Sequence, residues 1–421
     1  MAVNLADPGE LLVVPGVTLG AASARVKETA GPSSDASERA SENPRDDVAV
    51  MVFEPGTTVA GVFTQSGFAA PPVALCRESL DAGVEIRALI MNSGNANAAT
   101  GDRGLEDART LCEQVAESLQ ADTSSVLPFS TGVIGEFLPV QRMTKGLSHC
   151  VTSLAADHWP EVARAIMTTD TIPKATSRAQ LIGGTSVVVT GTAKGSGMMR
   201  PDMATMLAFM ACDAAVTRPC LDNLVREVAD ASFNRLTVDG DTSTNDSFVL
   251  ACTGQSDLPV IESPADPAYA ELRRMLVDAA SELAQAIVRD GEGATKFITL
   301  EVSGGRAERE CREVAFTVAQ SPLVKTAIFA GDPNWGRFCM AIGRAGLEDF
   351  DQSTVALHLD SVCIARDGLV ASDYVEENAA EVMARDEYRV HIDLGRGQAG
   401  FELWTTDLSY EYVRINAEYR T

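Results

Sequence analysis

The 421-residue sequence predicts a fold of layered strands and helices, of the α/β or α+β class, because strand-like and helix-like segments mix along the whole chain. The strand-like segments are short, apolar and rich in β-branched residues, whereas the helix-like segments repeat an apolar residue every three or four positions. The composition, 45% hydrophobic and 22% charged, is that of a globular protein and not of a disordered one. The order of the strands does not follow from these patterns.

The elements are predicted in chain order from these periodicities. Strands are expected at 84–92, 185–191, 297–304, 355–360, 388–394 and 400–408. Helices are expected where apolar residues share one face, over 108–119, 221–229 and 272–287. The polar segment 27–48 is predicted to be an exposed loop, since it has too few apolar residues to offset its ordering entropy. The breaker-rich segment 254–267 is predicted to be a surface connection.

Residues 395–400 match the glycine pattern G-x-G-x-x-G, which in a dinucleotide-binding loop lies between a strand and a helix. Here the segment that follows is β-like, so the glycines are predicted to turn a hairpin instead. A phosphate-binding loop of the form G-x-x-x-x-G-K-[ST] does not occur in the sequence either. The glycines therefore do not indicate a nucleotide cofactor.

The charge and the reactive side chains exclude several classes of protein. With 34 basic and 59 acidic residues, the formal charge of −25 is opposite to that of a nucleic-acid binder and disfavours docking on an anionic membrane. The nine cysteines form no C-x-x-C pair, the four histidines have no metal-ligand spacing, and no catalytic serine motif accompanies them. Neither a metal site nor a histidine-based triad is expected.

The same features predict a cytoplasmic protein in a reducing compartment. The N-terminal segment lacks the basic region and cleavage pattern of a signal peptide, and no run of 18 apolar residues occurs. The cysteines are scattered among apolar neighbours, where they behave as small hydrophobic residues.

The segment 193–210 combines a predicted strand, a loop with two glycines and a proline, and an apolar run that begins beside Thr205. A simple interpretation is a tight loop that enters a buried element. A functional interpretation is that the loop presses the Thr205 hydroxyl against the carbonyl of Ala204, so that the chain is cut there. The released α-amine of Thr205, with an ordinary pKa of roughly 7.7–8.0, would then serve as a general base without histidine.

The run KGSGMMRPDMATML (194–207) closely resembles the signature of the ornithine acetyltransferase family, also called the arginine-biosynthesis glutamate N-acetyltransferases. The resemblance extends from about residue 50 to the last residue. It includes, in order, VFTQSGFAAPPVALCRE, NSGNANAATG, STGVIG, IMTTDTIPK, DGDTSTND, DGEGATK, SPLVKTAIFAGDPNWGR and TTDLSYEYVRINAEYRT.

The resemblance implies a set of site residues. Thr205 corresponds to the nucleophile, cut from Ala204, and Thr131 with Gly132 corresponds to the oxyanion hole. The substrate-binding positions that match are Thr168, Lys194, Thr205, Glu292, Asn416 and Thr421. Simpler interpretations remain: Thr131 and Gly132 as a turn, Lys194 as a solvated loop lysine, and Glu292 as a surface carboxylate.

The resemblance also implies a layered α/β sandwich of the N-terminal-nucleophile type and a ping-pong transfer of acetyl from N-acetylornithine to glutamate. It implies no metal or cofactor, and a heterotetramer of α chains (1–204) and β chains (205–421). The alternatives are an amidohydrolase or aminopeptidase with an N-terminal nucleophile, an acetyltransferase for another amino acid in a secondary-metabolite pathway, and a silent protein that keeps only the fold. Some family members also use acetyl-CoA as the donor.

Overall fold

The computed structural model describes residues 2–27, 45–200 and 206–418. The strands in these ranges are β1 (Val17–Ala22), β2 (Val48–Phe53), β3 (Thr58–Phe63), β4 (Ala88–Asn92), β5 (Val126–Ser130), β6 (Lys174–Ile182), β7 (Thr185–Lys194), β8 (Leu207–Cys212), β9 (Leu236–Thr237), β10 (Ser247–Cys252), β11 (Phe297–Gly305), β12 (Ala356–Leu359), β13 (Val362–Arg366), β14 (Leu369–Val370), β15 (Glu387–Asp393) and β16 (Ala399–Thr406).

The helices are α1 (Pro71–Asp81), α2 (Gly101–Leu119), α3 (Val140–Thr152), α4 (Trp159–Ala165), α5 (Arg218–Ala231), α6 (Pro267–Arg289), α7 (Glu308–Ala319), α8 (Pro322–Ala330), α9 (Trp335–Gly343), α10 (Glu376–Met383) and α11 (Tyr410–Glu418). Helix α6 begins as its sequence dictates: Asp266 caps it by accepting a hydrogen bond from Ala268 N at 3.0 Å, and Pro267 occupies the first turn. In the part of the chain described, no helix combines the length and the apolar character needed to cross a membrane.

Two sheets stack face to face. The first has the strand order β1-β2-β4-β5 and the second has the order β3-β10-β8-β7-β6. Their facing side chains form one core, in which the rings of Phe129 and Phe209 meet edge to face with centroids 4.9 Å apart. Every residue of β8 is buried, because this strand lies in the middle of the second sheet and both of its faces are covered.

Helices cover the outer face of each of these sheets. Leu111 of α2 shares a core with Val50 of β2 on the first sheet, and α3 packs beside it. Leu224 of α5 shares a core with Val189 of β7 on the second sheet, where α6 also packs. The four layers, helix, sheet, sheet and helix, confirm the predicted layered α/β sandwich.

A third sheet, with the order β14-β13-β12-β15-β11-β16-β9, has its own core with helices α7 to α10. Its edge strand β9 follows α5 closely along the chain and runs parallel to β16, where Trp404 is paired with Leu236. The chain therefore connects the sandwich to the third sheet through β9.

The predicted elements are present in the structure. The expected strand at 84–92 forms β4, and the expected helices lie within α2, α5 and α6. Helix α2 begins before the apolar period does, and its first three residues, 101–103, are exposed. The loop predicted at 27–48 lies outside the described residues except at its two ends, and its last residue, Val48, begins β2.

The predicted hairpin at 395–400 is wrong. Strands β15 and β16 do not pair with each other, because β11 lies between them, parallel to β15 and antiparallel to β16. The connection instead wraps around the end of β11, where the N–H groups of Arg396 and Gly397 both donate to the Gly304 carbonyl at 2.7 Å. A strand follows the glycines, as predicted, and not the helix of a dinucleotide-binding loop.

Candidate active site

A cavity of about 110 Å³ lies where strand ends of both stacked sheets meet the loop after α6 and helix α11. Six residues predicted for the site line it: Thr131, Gly132, Thr168, Lys194, Glu292 and Asn416. They come from distant parts of the chain, so folding alone brings them together. Ala204, Thr205 and Thr421 lie outside the described residues, but Met206, the next residue after Thr205, lines the same cavity.

Thr131 and Gly132 follow β5 directly, and the polar turn after β4 holds them in place. Thr131 N donates to the Asn92 carbonyl at 3.0 Å. Gly132 has φ +134°, and a Cβ atom there would lie 2.3 Å from the carbonyl carbon of Gly94, so only glycine fits. The backbone N–H of Gly132 donates no hydrogen bond to another backbone group of the described ranges. The pair thus presents a hydroxyl and an N–H beside the cavity.

Lys194 lies at the end of β7, not in a solvated loop. It pairs with Leu207 of β8 and is 9% exposed. Its Nζ donates to Thr131 Oγ1 at 3.0 Å. Burial lowers the pKa of Lys194, although the negative charges of Asp170, Asp246 and Glu292 oppose that effect. The interpretation of Lys194 as a surface lysine is therefore wrong, because β7 continues three residues beyond the predicted strand and ends in the core.

Glu292 and Asn416 form a further part of the cavity wall. Asn416 Nδ2 donates to Glu292 Oε2 at 2.7 Å, so α11 is held against the loop after α6. Glu292 N donates to the Ser196 carbonyl at 2.8 Å. A Cβ atom on Gly197 would lie 2.5 Å from the Glu292 carboxylate, so any larger residue there would displace this side chain.

Thr168 is positioned by a buried ion-pair network. Its N–H donates to Asp170 Oδ2 at 2.9 Å, and Gly195 N donates to Asp170 Oδ1 at 2.7 Å. Lys174 Nζ donates to Asp170 at 2.6 Å and to Asp290 at 2.7 Å, and its side chain is fully buried. Burial alone would raise the pKa of Asp170, but the ammonium groups of Lys174 and Lys194 hold that pKa below its ordinary value.

The arrangement has the parts needed for acyl transfer to or from an amino acid. A hydroxyl and an N–H donor lie side by side, a cation touches the hydroxyl, and a carboxylate lines the same cavity. Such donors stabilise the negative charge that develops on a carbonyl oxygen. A cation and an anion in one cavity match the carboxylate and the ammonium of an amino acid. No group of three metal-ligating side chains occurs within residues 2–27, 45–200 and 206–418.

Comparison with known proteins identifies the family. A family model described as the ArgJ family matches residues 34–421. The chain belongs to the ArgJ family. It is 49% identical over 421 residues, all of both chains, to the arginine biosynthesis bifunctional protein ArgJ of Pseudomonas syringae pv. tomato. The predicted family and the predicted enzyme class, an acyltransferase, are thereby confirmed.

Two solved structures are also similar to the chain. The bifunctional protein ArgJ from Bacillus halodurans is 37% identical over 49% of this chain and 96% of that chain, with a TM-score of 0.47. The ornithine acetyltransferase from Mycobacterium tuberculosis, solved in complex with ornithine, is 29% identical over 46% of this chain and 94% of that chain, with a TM-score of 0.36.

Two kinds of residue at the site of this ArgJ-family chain were not predicted from the sequence. Asp246 lines the cavity at 3% exposure, burial raises its pKa well above the ordinary value, and its Oδ2 has no partner among the described residues. The Asp170–Lys174–Asp290 network lies behind the cavity wall. The only signal for Asp246 was its place in the polar run 239–246 before a strand. The network was not predicted because Asp290, one of the two partners of Lys174, is 116 residues away.

Proposed function

We propose that this chain transfers an acetyl group from N-acetylornithine to glutamate. The transfer passes through an acetyl ester on Thr205, after the chain has cut itself between Ala204 and Thr205. The proposal rests mainly on one observation: residues from separate sequence blocks line one cavity together with Met206, the neighbour of Thr205. The relatives named above, an arginine-biosynthesis protein and an ornithine acetyltransferase, support the choice of substrates.

In the first half-reaction, the Thr205 hydroxyl attacks the acetyl carbonyl of N-acetylornithine while the α-amine of Thr205 takes the hydroxyl proton. The oxyanion that forms accepts hydrogen bonds from Thr131 Oγ1 and Gly132 N–H. The C–N bond then breaks, the α-ammonium returns the proton to the leaving amine, and ornithine departs. The lining of the cavity by Thr131 and Gly132 supports this assignment.

In the second half-reaction, the α-amine of glutamate attacks the acetyl ester and the ester C–O bond breaks. The α-amine of Thr205 carries the proton from the attacking nitrogen to the Thr205 oxygen, so the hydroxyl is restored. Because donor and acceptor use the same cavity in turn, the kinetics are ping-pong. The cation of Lys194 suits the α-carboxylate of each amino acid, and Glu292 with Asn416 suits the side-chain ammonium of N-acetylornithine. The closeness of Glu292 and Asn416, 2.7 Å apart at their polar atoms, supports a shared role.

The assembly belongs to the same proposal. The cut gives an α chain of residues 1–204 and a β chain of residues 205–421, which pair and associate as a heterotetramer. Thr421, together with Thr168, completes substrate binding. The nine free cysteines support a reducing, cytoplasmic environment.

The first test is the intact mass of the purified protein beside Thr205→Ala. We expect the wild type to give two masses, those of residues 1–204 and 205–421, and the variant to give one full-length mass. The variant lacks the hydroxyl that attacks the Ala204 carbonyl, so it stays whole. An uncut wild-type chain would remove the base from the proposed mechanism.

The cleaved protein is then assayed for the two products. Acetylglutamate formed from N-acetylornithine and glutamate, with parallel lines in double-reciprocal plots, is the expected result. Release of acetate at the same rate without glutamate would favour the amidohydrolase alternative. Transfer to another amino acid, or from acetyl-CoA alone, would contradict the proposed substrates but would leave Thr205 as the proposed nucleophile.

A further inference from the structure

The carboxylate of Asp239 holds the chain segment that leads to the proposed cleavage position. Met198 N donates to Asp239 Oδ2 at 2.6 Å, and Met199 N donates to Asp239 Oδ1 at 2.7 Å. One carboxylate therefore binds two consecutive N–H groups, and these are charge-assisted hydrogen bonds. Asp239 is itself oriented by Tyr412 of α11, whose hydroxyl donates to Oδ2 at 3.3 Å.

The segment is held in a conformation that its residues do not prefer. Met198 has φ +54°, in the left-handed region where a side chain clashes with the backbone and where glycine is the usual residue. Met198 is also 37% exposed, so packing of its side chain does little to enforce this geometry. The hydrogen bond from its N–H to Asp239 therefore helps to retain the strained conformation.

A second set of contacts fixes the carbonyl side of the same segment. The Met199 carbonyl accepts hydrogen bonds from Val238 N at 2.9 Å and from Thr237 Oγ1 at 2.8 Å. Asp239 follows these residues directly, so the end of β9 binds both the N–H and the carbonyl of Met199. Downstream, the Met206 carbonyl accepts from Ser247 N at 2.8 Å. The chain is thus anchored before residue 201 and after residue 205.

We propose that Asp239 is a positioning residue for the self-cleavage between Ala204 and Thr205. It acts through Met198 and Met199: by holding this segment in its left-handed turn, it directs the following residues so that the Thr205 hydroxyl meets the Ala204 carbonyl. The proposal rests on the self-cleavage that is part of the proposed function. It adds Asp239 as the residue that sets the geometry for that cleavage.

The test compares Asp239→Asn with Asp241→Asn in the full-length chain. The amide introduced by Asp239→Asn keeps the shape of the side chain but turns an NH₂ toward one of the two N–H groups, so we expect cleavage to slow at least tenfold. Asp241 is an exposed acid two residues away, and its carboxylate accepts no hydrogen bond from Met198 or Met199, so Asp241→Asn should cleave at the wild-type rate. Cleavage is followed by intact mass over time, well below the unfolding temperature of each variant.

A rescue experiment separates positioning from general destabilisation. Met198→Gly removes the clash at φ +54°, so the turn forms without help from Asp239. We expect the double variant Asp239→Asn/Met198→Gly to recover at least a third of the difference in log cleavage rate between the wild type and Asp239→Asn. Because relief of this strain also raises general stability, the free energy of unfolding of each variant is measured beside its cleavage rate, and a rate that only follows the change in stability would count against positioning.

The outcomes are distinct. Wild-type cleavage rate in Asp239→Asn, with Thr205→Ala uncut, overturns this proposal alone. Slow cleavage in Asp239→Asn without any rescue by Met198→Gly also overturns it, because Asp239 would then not act by holding the left-handed turn. An uncut wild-type chain overturns the proposed function, and this proposal with it.

Discussion

At the scale of single residues, the contact between Lys194 and Thr131 decides where the Thr131 hydroxyl points its hydrogen. An ammonium group only donates, so the hydroxyl oxygen accepts from Lys194 at 3.0 Å and its own hydrogen is directed elsewhere. Both residues line the cavity, which makes that hydrogen available to a substrate oxygen. Lys194 therefore orients the donor as well as supplying positive charge.

Thr131→Val tests this hydrogen directly, because valine keeps the shape and loses the hydroxyl. We expect kcat for acetyl transfer to fall by about 10²–10³, with KM changed by less than about threefold, as for the loss of one oxyanion donor. Thr123→Val, at an exposed position before β5, is the matched control and should leave both constants unchanged. A kcat within about threefold of wild type for Thr131→Val would refute the oxyanion role.

At the scale of elements, the Asp170–Lys174–Asp290 network joins the loop before β6, the start of β6 and the end of α6. Asp170 also binds the N–H groups of Thr168 and Gly195, so one buried cluster fixes two backbone segments beside the cavity. A buried charge is tolerated only when it is paired, and each member here has a partner within 2.7 Å.

Lys174→Met leaves two carboxylates buried without their cation. We expect the free energy of unfolding to fall by about 3–5 kcal/mol, measured by urea denaturation at neutral pH. Lys145→Met replaces an exposed lysine of α3 and should change the free energy by less than about 0.5 kcal/mol. A loss below about 1 kcal/mol for Lys174→Met would mean that the network contributes little to stability.

The elements also show what the sequence can and cannot reveal. Helix α6 was predicted from its apolar period, which is a local pattern, and the sequence blocks that surround the cavity were predicted from their resemblance to a family. The position of β11 between β15 and β16 was missed, because its pairing partners lie about 90 residues away in β15 and about 100 residues away in β16, and no local signal encodes them. Asp239 was missed for the same reason: its partners, Met198 and Met199, lie about 40 residues away.

At the scale of the whole molecule, the pH dependence of stability contains a contribution from Lys325 of α8. This side chain is 3% exposed, and its Nζ donates to the Thr406 carbonyl and to Thr405 Oγ1 at the end of β16. Burial lowers the pKa of Lys325 from 10.5 to about 8, although Asp407 and Asp239 act against that shift.

The sign of this contribution follows from proton binding. Between pH 8 and 10.5 the unfolded chain binds more protons at this amine than the folded chain does, so the free energy of unfolding rises with pH across that window. Lys325→Met has no such group. The free energy of unfolding of the wild type, minus that of Lys325→Met, should rise by on the order of 3 kcal/mol over this range, measured by urea denaturation at each pH. A difference that stays constant, or shrinks, with pH would contradict it.

The pairing of β7 with β8 has a further consequence for the life of the molecule. Strand β7 ends before the proposed cut and β8 begins after it, and the two strands are antiparallel neighbours in which Lys194 is paired with Leu207. Lys174, before the cut, also binds Asp290, after it. Before the cut, these contacts form within one chain, and their formation does not depend on concentration. After it, the same unfolding releases two separate polypeptides, so refolding becomes a second-order encounter. Folding must then come first and cutting second, and the unfolding midpoint of the mature molecule becomes dependent on its concentration.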